Sequence, residues 1–168
     1  MTYLKTVAKA YHEAPLVGGT AIKAWQILAD ETAEHYNRLA ECLHIERTSE
    51  PEPYQSAYAM VADIAQGHIL LSTANSAHPL WDLEANTRFR LVHDVIGHGT
   101  TGAGFDWAGE RCAYFRQLEH TTHPLAKLAL FTEVIGQAAY ALDRGTFGTQ
   151  KAAILPPYLQ WTCQDDAH

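Results

Sequence analysis

One short stretch of the chain gathers the side chains best suited to metal or acid–base chemistry. His93 and Asp94 are adjacent, His98 follows five positions after His93, and Glu110 lies beyond a glycine-rich segment. Imidazole and carboxylate groups together suit Zn, Fe, Mn or Co. The residues around the pair are largely apolar, and a buried carboxylate without a partner would cost roughly several kcal/mol. We therefore expect a metal or catalytic site, rather than a buried pair in which Arg90 neutralises Asp94.

The spacing of the two histidines constrains how they meet. His93 and Asp94 lie about 100° apart around an α-helix, so both can border one pocket. Five positions from His93 to His98 are too many for one α-helical face, which two His share at i and i+4. We therefore predict that the helix ends near Gly97, so that His98 can turn back toward the pocket. Glu110 would return at the start of the next helix, where the dipole favours a negative charge.

The remaining pattern predicts the helices that must position these groups. Apolar residues recur with a period near 3.6, and Thr20, Asp82 and Asp106 are candidate N-caps. Pro124 suits a first turn and Gly145 a helix end. The predicted helices cover about residues 22–43, 54–66, 82–97, 107–119 and 124–144, with a loop at 97–104 and no assignment for 68–79. We expect an all-α fold, one domain over residues 1–168, with six or seven helices around one core.

Composition excludes several classes of protein. With 168 residues, 47% hydrophobic and 18% charged, the chain is not a disordered one. Its net charge of −7 argues against a general nucleic-acid-binding surface. Three cysteines without a CxxC motif, no apolar leader and no run of about 18 apolar residues favour a cytoplasmic protein without a membrane span. A homodimer is compatible with this size.

The site motif resembles the His-Asp (HD) phosphohydrolase superfamily. The resemblance rests on His93-Asp94, Ile96-Gly97-His98, Phe105 and Gly109-Glu110, with one residue more between Asp94 and His98 than the superfamily's pattern has. It implies an all-helical fold and a divalent metal ion that serves the hydrolysis of a phosphate ester or nucleotide. It also implies an earlier His and a later Asp as further ligands, for which His68 and Asp143 have compatible spacing.

Residues 80–156 resemble, more closely, uncharacterised domains of phage and actinobacterial proteins. The shared pattern includes acids and amides beyond the central motif, and it contains Glu133 rather than Asp143, which favours Glu133 as the distal acid. The matching positions are Phe89-Arg90, His93-Asp94, Gly97-His98, Gly109-Glu110, Ala113, Thr132-Glu133, Gly136-Gln137, Gln150-Lys151 and Leu155-Pro156.

These observations give each candidate residue an expected role. The metal ligands would be His93 and Asp94, together with Glu133 or His68. Proton transfer would fall to Glu110 or His98. The substrate would contact Arg90, Gln137 and Lys151. Of these, Arg90 and Lys151 are cations, which suit a negatively charged group on the substrate. Three of these residues have an alternative structural role: His68 could instead cap the preceding helix, and Glu133 or Lys151 could lie on a solvated surface.

The sequence leaves three functional hypotheses open. The first is a metal-dependent hydrolase acting on a phosphate ester or nucleotide through a pocket lined by His, Asp and Glu. The second keeps the pocket but makes the protein an HD-like di-iron oxygenase of a small molecule. The third is a non-enzymatic helical module, such as a phage accessory protein, in which the polar cluster is a buried network.

Overall fold

The computed structural model describes residues 2–160 of the chain. Within this range the chain is mostly helical, so the predicted helical fold is confirmed. The α-helices are α1 (Tyr3–Glu13), α2 (Ala21–Ala40), α3 (Ala57–Ala65), α4 (Leu83–Val92), α5 (Trp107–Glu119), α6 (Pro124–Phe131) and α7 (Gln137–Arg144). Two π-helical segments, His93–Gly99 and Thr132–Gly136, continue α4 and join α6 to α7.

Most predicted helix ends are confirmed by their local chemistry. The side chains of Asp82 and Asp106 each accept a hydrogen bond, at 2.8 Å, from the backbone N–H three residues later. Pro124 occupies the first turn of α6, and Gly145 closes α7 with a left-handed φ of 69°. Thr20 occupies the predicted N-cap position of α2, but its side chain does not accept the expected capping hydrogen bond.

Two short strands were not expected. β1 (His44–Thr48) and β2 (His68–Ser72) pair in parallel, with α3 as the connection between them. Ile69 and Leu71 point into a small core with Leu91, and both are fully buried. Five residues are too few for a clear alternation. The strands are therefore fixed by pairing and packing across the chain, which the local sequence does not show.

A larger core positions the functional region. Helix α2 packs on α4 and α6, while α1 packs on α7. Trp25 and Tyr11 are among the largest side chains buried there, and Ile135 of the second π segment is fully buried. The helical run Pro124–Arg144 is long and apolar enough to cross a membrane, yet 61% of its most apolar window is buried within the fold. Such burial is typical of a core helix.

Candidate metal centre

The π-helical winding after α4 brings the two predicted histidines together. His93 Nε2 and His98 Nε2 are 3.2 Å apart, and the backbone N–H of Thr100 bonds to the carbonyl of Val95, five residues earlier. Because a π-helix places i→i+5 bonds where an α-helix has i→i+4, residues five apart can share a face. The predicted helix end near Gly97 comes two residues too early, because helical winding continues through Gly99, and the predicted loop is confirmed only for residues 100–104.

A close helix contact brings Glu110 to the same point. A Cβ at Gly97 would lie 3.0 Å from Ala113 Cβ and 3.2 Å from the Ala113 carbonyl oxygen, so glycine lets α5 approach the π segment. Glu110 then sits in the first turn of α5, as predicted. Its two carboxylate oxygens lie 3.5 Å from His93 Nε2 and 3.6 Å from His98 Nε2.

The outer nitrogen of each ring faces a hydrogen-bond acceptor. His93 Nδ1 donates to Gln117 Oε1 and His98 Nδ1 donates to the Ala103 carbonyl, both at 3.0 Å. With Nδ1 protonated, the Nε2 of each neutral ring carries only a lone pair. The two lone pairs then face each other and the Glu110 carboxylate, which is repulsive unless a ring takes up a second proton or a metal ion lies among them. Histidines that bind metals are commonly oriented in this way by an acceptor at the outer nitrogen.

The separations suit a single small cation. Two imidazole nitrogens bound tetrahedrally to zinc at about 2.0–2.1 Å would lie about 3.3–3.4 Å apart, close to the 3.2 Å between His93 and His98. One candidate atom from each of His93, His98 and Glu110 lies within 4.8 Å of the others. Among residues 2–160, no other group of three His, Cys, Asp or Glu side chains meets this distance condition.

The charges of the site are strongly coupled. Burial alone would raise the pKa of Glu110, but the His93 and His98 rings that face its carboxylate, once protonated in the metal-free protein, outweigh burial and lower the pKa to about 2. Burial would lower the pKa of His93, and the Glu110 carboxylate outweighs it, so that this pKa is raised. Burial is also the main reason that the pKa of Asp94 is raised. The Glu110 site therefore favours positive charge on its neighbours.

A cavity of about 520 Å³ opens beside the cluster, a volume that suits a small molecule. His93, Asp94 and Glu110 all contribute to its wall. Asp94 makes no side-chain hydrogen bond within residues 2–160, and Arg90, four residues earlier, donates instead to backbone carbonyls. The Asp94 carboxylate is thus available to the cavity, and the alternative of a buried pair with Arg90 is not formed.

Glu133 belongs to a separate buried cluster. Its carboxylate accepts hydrogen bonds from Trp25 Nε1 at 2.6 Å, His78 Nε2 at 2.9 Å and Gln137 Nε2 at 2.6 Å. The predicted shared face of Glu133 and Gln137 is confirmed by the last of these bonds. Both residues border the cavity, but neither joins the group formed by His93.

Three further candidates lie apart from the cluster. His68 Nδ1 bonds to the Asp63 carboxylate at 2.8 Å. His68 is therefore neither a ligand beside His93, as predicted, nor a cap on the backbone carbonyls of α3, which was the alternative. The ammonium group of Lys151 donates to the carbonyls of His12 and Ala14 at the end of α1, rather than lining the cavity. Asp143 pairs with its neighbour Arg144 at 3.4 Å, outside the cluster.

The sequence pattern missed the residues that orient the site. Gln117 and the carbonyl of Ala103 fix the two histidine rings, while His78 and Trp25 bind Glu133. Gln117 lies 24 positions from His93, and Trp25 lies 108 positions from Glu133. At such separations neither helical periodicity nor a short motif relates the partners.

No protein-family model, curated protein or solved structure matches the chain significantly.

Proposed function

We propose that the protein is a metal-dependent hydrolase whose divalent transition-metal ion is held by His93, His98 and Glu110. The observation that supports this most directly is the convergence of two Nε2 lone pairs and a carboxylate, with both outer nitrogens already donating to oxygen acceptors. Two His and one carboxylate, with a remaining position for water, form the ligand set of several zinc hydrolases. His98 and Glu110, expected from sequence to transfer protons, are here assigned to the metal.

The proposed reaction is hydrolysis of a phosphate ester. The ion would supply Lewis-acid polarisation of the phosphoryl oxygen and a water of lowered pKa. Asp94, next to His93 in sequence and on the cavity wall, would accept a hydrogen bond from that water. Arg90 is the arginine that lines the cavity within residues 2–160, and its guanidinium group would bind the negatively charged phosphate. Gln137 contributes an amide to the same wall.

Oxygen chemistry at iron is the second candidate. Two His and one carboxylate on one side of an ion also form the facial triad of non-haem Fe(II) oxygenases. The geometry favours one iron over the two expected from the HD-like alternative, because Glu133 already accepts three hydrogen bonds and His68 bonds to Asp63. The identity of the metal that copurifies therefore discriminates hydrolysis from oxidation.

Metal content tests the first step of the proposal. Protein purified without added metal should contain about one equivalent of a divalent transition metal by plasma mass spectrometry. His93→Ala and His98→Ala should lose it, whereas His68→Ala, a matched histidine outside the cluster, should keep it. Metal at a free concentration of 100 times its dissociation constant should stabilise the wild type by about 2.7 kcal/mol. Substoichiometric metal that His98→Ala leaves unchanged would overturn the proposal.

Activity separates the remaining possibilities. Zinc- or manganese-loaded protein should release phosphate from a chromogenic phosphomonoester, and Asp94→Asn should lower kcat while metal content stays at one equivalent. Oxygen consumption by the iron form, without phosphate release, would favour the oxygenase. If the purified protein contains no metal and its melting temperature does not change when a chelator is added, the result would instead support the non-enzymatic helical module.

A further inference from the structure

Three amide side chains of the cavity wall, those of Asn86, Gln137 and Gln150, direct N–H groups into the protein. Asn86 Nδ2 donates to the Ser76 carbonyl at 3.0 Å and to Gln150 Oε1 at 3.2 Å. Gln150 Nε2 donates in turn to the Asn75 carbonyl at 2.9 Å. Gln137 Nε2 donates to Glu133, so both N–H groups of Asn86 and one each of Gln137 and Gln150 are engaged by protein oxygens.

The guanidinium group of Arg90 is engaged in the same way. Its two terminal nitrogens donate to the carbonyls of Ser72, the last residue of β2, and of Ala74 and Asn75 in the segment that follows. Burial is the main reason that its pKa is lowered. Arg90 therefore holds the segment after β2 against α4 and retains only part of its donor capacity for a ligand.

Two of these amides have an oxygen that is left for a ligand. Asn86 Oδ1 and Gln137 Oε1 have no hydrogen-bond partner within residues 2–160, and their orientation is fixed because the amide nitrogens are bound. Four described residues of the wall are acidic: Glu52, Asp94, Glu110 and Glu133. Among the residues of the cavity wall within 2–160, Arg90 is the only lysine or arginine. A ligand that donates hydrogen bonds suits this surface, and a second anionic group does not.

Flat apolar surface lies beside these acceptors. The rings of Tyr54, Phe89, Phe105 and Phe147 all border the cavity. Phe147 is 68% exposed, so one side of the ligand site is open at the surface. Aromatic rings of this kind stack on planar ligands and attract cations over their faces.

We propose that the part of the ligand distant from the metal cluster is a planar ring bearing N–H donors, neutral or cationic, recognised by Asn86 Oδ1 and Gln137 Oε1. This inference deepens the proposed function, because it concerns the same cavity and narrows its substrates. A substrate would carry a single phosphoryl group at the metal and an amino- or amidino-substituted ring at the other end. Nucleoside di- and triphosphates would be rejected.

Two matched fragments test this preference without any reaction. Benzamidine and benzoate share a ring and differ in donating N–H groups or presenting a carboxylate. In titrations of metal-free protein followed by nuclear magnetic resonance, benzamidine should shift the side-chain amide signals of Asn86 and Gln137 and saturate. Benzoate should bind at least ten-fold more weakly. Equal or tighter binding of benzoate, or no response of those amide signals to benzamidine, would overturn the proposal.

Variants locate the binding within the cavity. Gln137→Met removes the acceptor and should weaken benzamidine about ten-fold, whereas Gln26→Met, an exposed glutamine of another face, should not change it. Glu52→Gln lies at an exposed position of the wall and should weaken benzamidine about two-fold without altering the fold. Unchanged affinity in both Gln137→Met and Glu52→Gln would contradict the assignment, and Glu52→Gln retains that test should Gln137→Met not fold.

The two proposals fail independently. Fragment binding uses neither the metal nor turnover, so a protein without phosphatase activity can still show the amidine preference. Conversely, a metal-loaded hydrolase that binds benzoate as well as benzamidine would retain the proposed function and lose only the ligand class.

Discussion

Two polar clusters lie on π-helical segments of this protein, and they use the same kinds of side chain in opposite ways. In the first, His93, His98 and Glu110 direct lone pairs and a carboxylate toward one point. In the second, the Glu133 carboxylate accepts three N–H groups, among them His78 Nε2. His78 Nδ1 also accepts from the backbone of Leu80 and Trp81, so its Nε2 carries the proton. The outer nitrogens of His93 and His98 donate instead.

The direction of the protons therefore distinguishes the candidate metal centre from the network around Glu133. Where the backbone or an amide accepts from Nδ1, Nε2 presents a lone pair to the site. Where the backbone donates to Nδ1, Nε2 carries the proton and donates a hydrogen bond to a nearby acceptor. Both clusters contain His and Glu, but their hydrogen-bond partners favour the first as the proposed metal centre and assign the second to stability.

The largest expected effect is on stability, from Glu133→Ala. The substitution leaves three buried donors without an acceptor and should lower the free energy of unfolding by about 3–5 kcal/mol, measured by urea denaturation. Metal bound per folded molecule should be unchanged. The exposed Glu34→Ala is the control, with an effect near zero. A loss of metal from folded Glu133→Ala would contradict the separation of the two clusters.

Acid should destabilise the metal-free protein through the first cluster. The folded pKa of Glu110, about 2, lies below its ordinary value of 4.5, so its stabilisation is complete above about pH 4.5. It is lost as the pH falls toward 2, by roughly 3 kcal/mol in total. Asp94 acts in the opposite sense, because its pKa is raised.

Comparison with Glu110→Gln isolates the contribution of this one carboxyl. The difference in unfolding free energy between wild type and Glu110→Gln should shrink between pH 5 and pH 2 in metal-free protein. A difference that stays constant over this range would show that Glu110 does not couple to the two histidines.

Gln117→Leu should give a smaller and more selective effect. Removal of the acceptor at His93 Nδ1 frees the ring and should weaken metal binding about 10–100-fold, measured by competition with a chelating dye. Gln117→Glu keeps an acceptor at the same position and should restore much of the affinity. Equal affinities for wild type and Gln117→Leu would mean that the orientation of His93 does not depend on this bond.

The smallest effect is expected from Lys151→Met. Its ammonium group binds the last carbonyls of α1, so its loss should cost about 0.3–1 kcal/mol of stability through the helix end. Neither metal content nor phosphate release should change. A lower affinity for a phosphate ester would revive the sequence-based prediction that Lys151 contacts substrate.

Much of the helical framework could be predicted because its determinants are local. The caps at Asp82 and Asp106, the first-turn Pro124 and the left-handed Gly145 each act within one turn of their own position. The residue types of the candidate site were also visible in the motif from His93 to Glu110. The paired strands were not, since each five-residue strand depends on the other and on Ile69 and Leu71 being covered.

The sequence by itself determined which imidazoles and carboxylates are available, and that helices carry them. Only the tertiary structure decided that a π-helical winding aligns His93 with His98, which an α-helix would have separated. It also decided that Glu133 is saturated by Trp25 and His78. The physical reason is that helix-forming preferences act over a few residues. The winding of a buried turn and the direction of a buried proton depend on partners that fold in from distant parts of the chain.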